Sequence, residues 1–136
     1  MFNESKKFKK FLKSQLVTHM DYSEDDAKQE VKELESWFDS LPEEIKLYRI
    51  VLADDKKDVD LEKPGSHYGT NRKELVGSHQ FATGVGNKTF LLSVIANKSQ
   101  IDKEETLHNR ALYPNENEIT IKNKGKGIKI IHIKEL

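Results

Sequence analysis

Two carboxylates one residue apart, Glu116 and Glu118, stand where the polar run Tyr113-Pro114-Asn115-Glu116-Asn117 turns into the alternating Glu118-Ile119-Thr120-Ile121. Side chains two apart on a strand share a face, so the spacing predicts that both acids look the same way. Like charges this close disfavour each other's ionisation, which an ordinary fold avoids and an active site can use. A solvated acidic turn ahead of a strand has the same spacing. Two further groups with chemical potential lie upstream. Arg49 sits inside the apolar run Leu47-Tyr48-Arg49-Ile50-Val51-Leu52, where a guanidinium is costly without a partner. It is read either as one half of a structural ion pair or an exposed strand end, or as a cation aimed into a cleft to grip phosphate or carboxylate bidentately. Ser66-His67-Tyr68 follows the turn Lys63-Pro64-Gly65. His67 is the histidine placed nearest a site, with a packed structural imidazole as the alternative.

Other chemistries are disfavoured. His19, His67, His79, His108 and His132 show no paired spacing of the zinc type, and no cysteine is present to supply a thiolate ligand, a thiol nucleophile or a disulfide. No metal is therefore expected. Gly84-Val85-Gly86-Asn87-Lys88-Thr89 lacks the glycine immediately before lysine, and the helix immediately after, that a phosphate loop needs.

The elements that must position these groups are legible from periodicity. Phe8, Phe11, Leu12 and Leu16 fall at helical spacing among Lys6, Lys7, Lys9, Lys10 and Lys13, predicting a basic amphipathic helix that docks on the domain's own core or lies on an anionic membrane. Ser23 is placed to cap a second helix with acids in its first turn, Ala27, Val31, Leu34 and Phe38 on one face and Trp37 beside them, closed by Leu41-Pro42. Strands are predicted over 47–52 and 89–96, with a charged loop from Asp54 to Lys63. Ser66-His67-Tyr68 reads as a short extended piece. Asn71 or Thr70 caps a short helix holding Leu75 and Val76, with Glu74 as capping-box partner. A loop follows over 77–87, and 102–112 is expected to include a helical turn. Ile119–Lys122 and Ile128–Ile133 flank the glycine-bearing Asn123-Lys124-Gly125-Lys126-Gly127 and read as a hairpin.

Helices first and strands afterwards define an α+β class. At 136 residues the chain is expected to be a single domain, with a helical part over 1–43 and a mixed, mainly antiparallel β core over 44–136. The 23 basic and 23 acidic side chains cancel, so no global field argues for nucleic acid or membrane. Locally, acids crowd 24–60 and lysines dominate the C-terminal end, as a solvated face or a phosphate-binding surface. No apolar run reaches signal-peptide or membrane-spanning length, from which a cytoplasmic protein is expected.

In chain order, Leu47-Tyr48-Arg49, Ser66-His67-Tyr68 and Glu116-Asn117-Glu118-Ile119 resemble the ADP-ribosyltransferase family, in its branch with an arginine, a serine-containing strand and a Glu-x-Glu motif. Short prokaryotic and bacteriophage members look nearest, which would make the compartment a host cytoplasm. The resemblance spans roughly residues 44–136, and Ser66-His67-Tyr68 departs from the family's usual Ser-Thr-Ser. It implies NAD as the substrate cofactor and an intracellular acceptor macromolecule or nucleotide as partner. Glu118 would stabilise the ribosyl cation, Glu116 would orient or deprotonate the acceptor, and Arg49 would pair with phosphates or ribose. Ser66 would support the nicotinamide side and help position Glu118, and Tyr68 would stack on a planar ring. His67-Tyr68 cannot simply take over the roles of the family's His-Tyr-Glu branch, whose residues lie elsewhere in the fold. The alternative is a module of the same fold that binds a nucleotide or protein partner without catalysis.

Overall fold

Apolar residues spaced by three and four bring the N-terminal region together as helices. In α1 (Phe2–His19) Leu12 and Leu16 are fully buried, each contributing about 2 kcal/mol of burial. Phe11, grouped with them by spacing, is instead 47 % exposed, its ring against that of His108. Helix α2 (Glu24–Asp39) starts as expected: the Ser23 hydroxyl accepts the Asp26 N–H at 3.1 Å, with Glu24, Asp25 and Asp26 in the first turn. Its buried stripe is Ala27, Val31, Leu34 and Phe38. The computed structural model describes residues 2–78 and 82–136; His79 lies outside them.

Two compact units are distinguished, Met1–Leu41 with Lys103–Glu116, and Pro42–Asp102 with Asn117–Leu136. The helical unit therefore also takes in a later segment, α4 (Lys103–Leu112), where sequence predicted a helical turn. Leu107 and Ala111 of α4 are buried. Lys103 Nζ lies 2.8 Å from Glu35 of α2, and the Arg110 guanidinium stands 3.8 Å over the Trp37 ring.

The second unit is a six-stranded, mainly antiparallel sheet, which makes the fold α+β. Its strands are β1 (Glu44–Ala53), β2 (His67–Gly69), β3 (Thr83–Gly84), β4 (Lys88–Asn97), β5 (Glu118–Thr120) and β6 (Lys129–Glu135). They run in the order β5-β2-β1-β4-β6. The two strands predicted most clearly, β1 and β4, pair antiparallel along their whole length from Glu44↔Asn97 to Ala53↔Lys88. On the other edge of β1, β2 pairs antiparallel at Tyr48↔Gly69 and β3 parallel at Val51↔Thr83. Helix α3 (Arg72–Ser78) covers one sheet face, Leu75 packing with Ile50 and Leu91. Asn71 Oδ1 accepts the Glu74 N–H at 3.1 Å, the cap predicted from sequence.

The predicted C-terminal hairpin is not formed. β5 and β6 lie at opposite edges of the sheet, because Glu118–Thr120 pairs with β2 and Ile121 continues into a bridge with Ile101. Four strand spacings amount to about 19 Å. The nine-residue step from Thr120 to Lys129 reaches about 30 Å when extended, enough to run along the end of the sheet. Its turn uses left-handed backbone at Asn123, Lys124, Gly125 and Gly127. Glycine in such a turn signals a reversal, but not which strand receives the chain afterwards.

Candidate active site

The three sequence-distant segments become neighbouring strands, β1, β2 and β5, and one row crosses them: Tyr48, Gly69 and Glu118 are in register. Residues in register share a face, and residues two apart on one strand do as well. Glu118, Thr120, His67 and Gly69 therefore stand on the face that carries Tyr48 and Ile50, the one covered by α3. At Gly69, opposite Glu118, the missing side chain makes room for Leu75 of α3, whose Cδ1 lies 3.2 Å from where a Cβ would stand, and His67, two residues away on β2, reaches across to Glu118. The His67 Nδ1 hydrogen-bonds Glu118 Oε1, and the Thr120 hydroxyl donates to the same oxygen at 3.1 Å. Glu118 is 7 % exposed whereas the His67 side chain is half exposed, so the pair has a buried end and a solvent-facing end. The contact at Nδ1 fixes the plane of the His67 ring between the buried carboxylate and solvent. Such an imidazole is oriented for proton transfer, and the carboxylate behind it stabilises positive charge developing nearby.

The rim of this site is tied together by polar contacts. Asn117, left-handed at φ 51, accepts the Thr70 N–H through its carbonyl at 3.2 Å. Its side-chain amide donates to Glu74 Oε2 at 3.1 Å, which links the start of β5 to α3.

Glu116 does not extend the strand. It lies in the 3₁₀ turn Pro114–Glu116, and the left-handed Asn117 separates it from β5. The alternation rule that predicted a shared face with Glu118 holds only inside a strand, so it does not carry to this position.

Arg49 is 5 % exposed and one residue out of phase with Tyr48, hence on the opposite face from Glu118. Among the described residues no carboxylate lies within ion-pairing distance of it. Its Nε donates to Pro64 O, Nη1 to His67 O and Nη2 to Thr83 Oγ1, each at 2.7 Å. Burial holds its pKa below the ordinary arginine value. Neither expectation from sequence describes this arrangement: a buried cation bonds neutral oxygens and ties β1 to the chain on either side of Gly65 and to β3. Gly65, at φ +131, is required there, because a Cβ would come within 2.2 Å of the guanidinium carbon. A cavity of about 420 Å³ beside Pro64 and Thr83 is walled by Asp54, Asp58 and Asp60, an unfavourable setting for a phosphate.

Tyr68 is fully buried, 5.7 Å from the Arg49 guanidinium carbon, so the expected stacking on a ligand ring is not available to it. Its hydroxyl has no hydrogen-bond partner, and burial pushes the phenol up to about 12. Ser66 is half-buried just before β2, and its carbonyl accepts the Ile121 N–H at 2.7 Å. Of the six residues singled out in the sequence, the fold brings His67 together with Glu118, and Arg49 with Tyr68 on the other face. Thr120 was missed, although its two-residue spacing from Glu118 on one strand was a readable signal.

Among the described residues no cluster of three or more histidines and carboxylates is placed to hold a metal ion, and no helix is long and apolar enough to cross a membrane. No protein family, no curated protein and no solved structure matches this chain.

Proposed function

We propose that this protein is an ADP-ribosyltransferase that consumes NAD, with its reaction centre at the His67–Glu118 pair. The observation that supports this reading is the buried, doubly hydrogen-bonded Glu118 heading β5, two strands from the Leu47-Tyr48-Arg49 segment of β1. In the reaction the bond between the nicotinamide nitrogen and the ribose C1′ breaks, and its electron pair leaves with nicotinamide. The ribosyl group develops oxocarbenium character, as in glycoside cleavage. An acceptor nucleophile then bonds to C1′, and its proton is taken by His67. Glu118 is fixed before the charge appears, so its stabilisation is realised in the transition state rather than in substrate binding. Arg49 contributes by holding β1 to β2 and β3. Glu116 as the residue that orients the acceptor belongs to the same proposal, carried by the family resemblance alone.

The test is transfer or hydrolysis of adenylate-labelled NAD in cell lysate by the parent chain and by Glu118→Gln. The expected loss is about a hundredfold to a thousandfold in kcat, with the NAD dissociation constant changed by less than about threefold. Equal rates for parent and Glu118→Gln would overturn the assignment. A catalytically silent nucleotide-binding module is the second reading, favoured by the 7 % exposure of Glu118 and by the engagement of Arg49 with protein oxygens. It predicts a rise in melting temperature with NAD and no label transfer.

A further inference from the structure

Within the helical unit, lysines gather along one groove. A groove of about 320 Å³ between α1 and α2 is lined by Lys9, Lys10, Lys13, Lys28, Val31 and Lys32. Five of six lining residues are lysine and none is acidic. Lys9 and Lys13 on α1, and Lys28 and Lys32 on α2, are each four residues apart, about 6 Å along their helix axis. Like charges at this spacing destabilise a helix by a few tenths of a kcal/mol per pair. One of these ammonium groups, Lys13 Nζ, lies 3.9 Å from Glu24, a carboxylate that is itself 82 % exposed. The acids of α2 that start its first turn, and Glu35, which pairs with Lys103, do not line this groove. The floor is Val31, nearly buried at 7 %.

From these residues we infer that the α1–α2 groove is a binding site for the phosphate backbone of a nucleic acid. Two rails of lysine repeat along the groove as phosphates repeat along a strand. Flexible ammonium groups suit phosphate contacts that carry no sequence information. Closely set charges over a low-dielectric floor focus the positive potential. An anionic bilayer fits less well, because α1 keeps Leu12 and Leu16 fully buried and has few apolar groups left to insert. The inference does not depend on the reaction proposed at Glu118.

Fluorescence anisotropy with labelled single-stranded oligothymidylate tests it, comparing the full-length parent, a groove variant (K9Q, K13Q, K28Q, K32Q) and a control variant with the same charge change elsewhere (K56Q, K57Q, K73Q, K129Q). The parent is expected to bind with log-linear salt dependence. The groove variant should lose tenfold or more in affinity, and its salt slope should fall by about 3, at ~0.7 per phosphate contact. The control should stay within about threefold of the parent, and the arginine version of the groove should restore binding. Relief of like-charge pairs offsets the loss of the exposed Lys13–Glu24 pair, so the groove variant's melting temperature should match the parent's, and a matching value means that lost binding cannot be ascribed to unfolding. The inference is overturned if the parent fails to bind at low salt, or if control and groove variants lose equally. Displacement of the oligonucleotide by polyglutamate as readily as by unlabelled oligonucleotide, or capture by phosphatidylserine vesicles without oligonucleotide binding, would also overturn it.

Discussion

The two faces of the sheet treat a buried charged side chain in opposite ways. On one, Glu118 is buried but connected outward through His67, whose ring is half exposed. On the other, Arg49 is buried and bonded to three neutral oxygens of its own chain. The first arrangement couples an interior charge to solvent and suits proton transfer. The second ties β1 to the Pro64 turn and reinforces its short pairings with β2 and β3, and suits architecture. Both occur within one row of neighbouring strands, β1, β2 and β5. Side-chain parity, a matter of one residue, separates a candidate reaction centre from a structural tie.

The comparison breaks most visibly at Arg49. Arg49→Met should cost about 3–5 kcal/mol, because Pro64 O, His67 O and the Thr83 hydroxyl lose charged donors in a buried site. Urea unfolding measures it, and a cost under about 1 kcal/mol would mean the guanidinium is not the tie described here. Gly65→Ala comes next at about 3 kcal/mol, from left-handed strain combined with contact on Arg49. If alanine is tolerated at that position, the guanidinium does not pack against Gly65 as described.

The Glu118 side should respond more weakly in stability and more strongly in chemistry. Glu118→Gln keeps the volume and removes a charge-assisted bond, so about 1–2 kcal/mol is expected. A double-mutant cycle with His67→Gln should give a coupling of about 1 kcal/mol. Strictly additive values would show that the imidazole and carboxylate do not act as a pair. Raising salt should barely alter the coupling, since one partner is buried.

Much of the architecture was legible because it rests on local rules. Ser23 and Asn71 cap helices by a hydrogen bond that sequence spacing specifies, and the buried stripe of α2 follows helical period. Strands β1 and β4 were legible as apolar runs. What failed to show was pairing. Nothing local says that Glu118–Thr120 joins β2 while β6 joins β4, since both are short runs beside a glycine turn. The site suffered from the same blindness at finer scale. Whether Glu116 lies in the strand depends on one left-handed residue, Asn117, and asparagine adopts that conformation without announcing it. That Arg49 points away from Glu118 follows from the Tyr48, Gly69 and Glu118 register, which exists only after the sheet has formed.

The smallest effect at neutral pH should come from Tyr68. Its hydroxyl is buried and unpaired, so Tyr68→Phe removes an unsatisfied group without opening a cavity. The outcome should lie between no change and a gain of about 1 kcal/mol. Alkaline conditions separate the two proteins. The folded phenol ionises only at about 12, above its value of about 10 in the unfolded chain. Between these values the unfolded state has lost a proton that the folded state still holds, so stability falls as pH rises. The parent should therefore lose on the order of 2 kcal/mol across that window. Tyr68→Phe lacks this contribution and should show a correspondingly flatter alkaline limb. If both proteins decline in parallel, the phenol is not buried beside Arg49, and the contrast between a sealed face and a solvent-coupled one loses its second member.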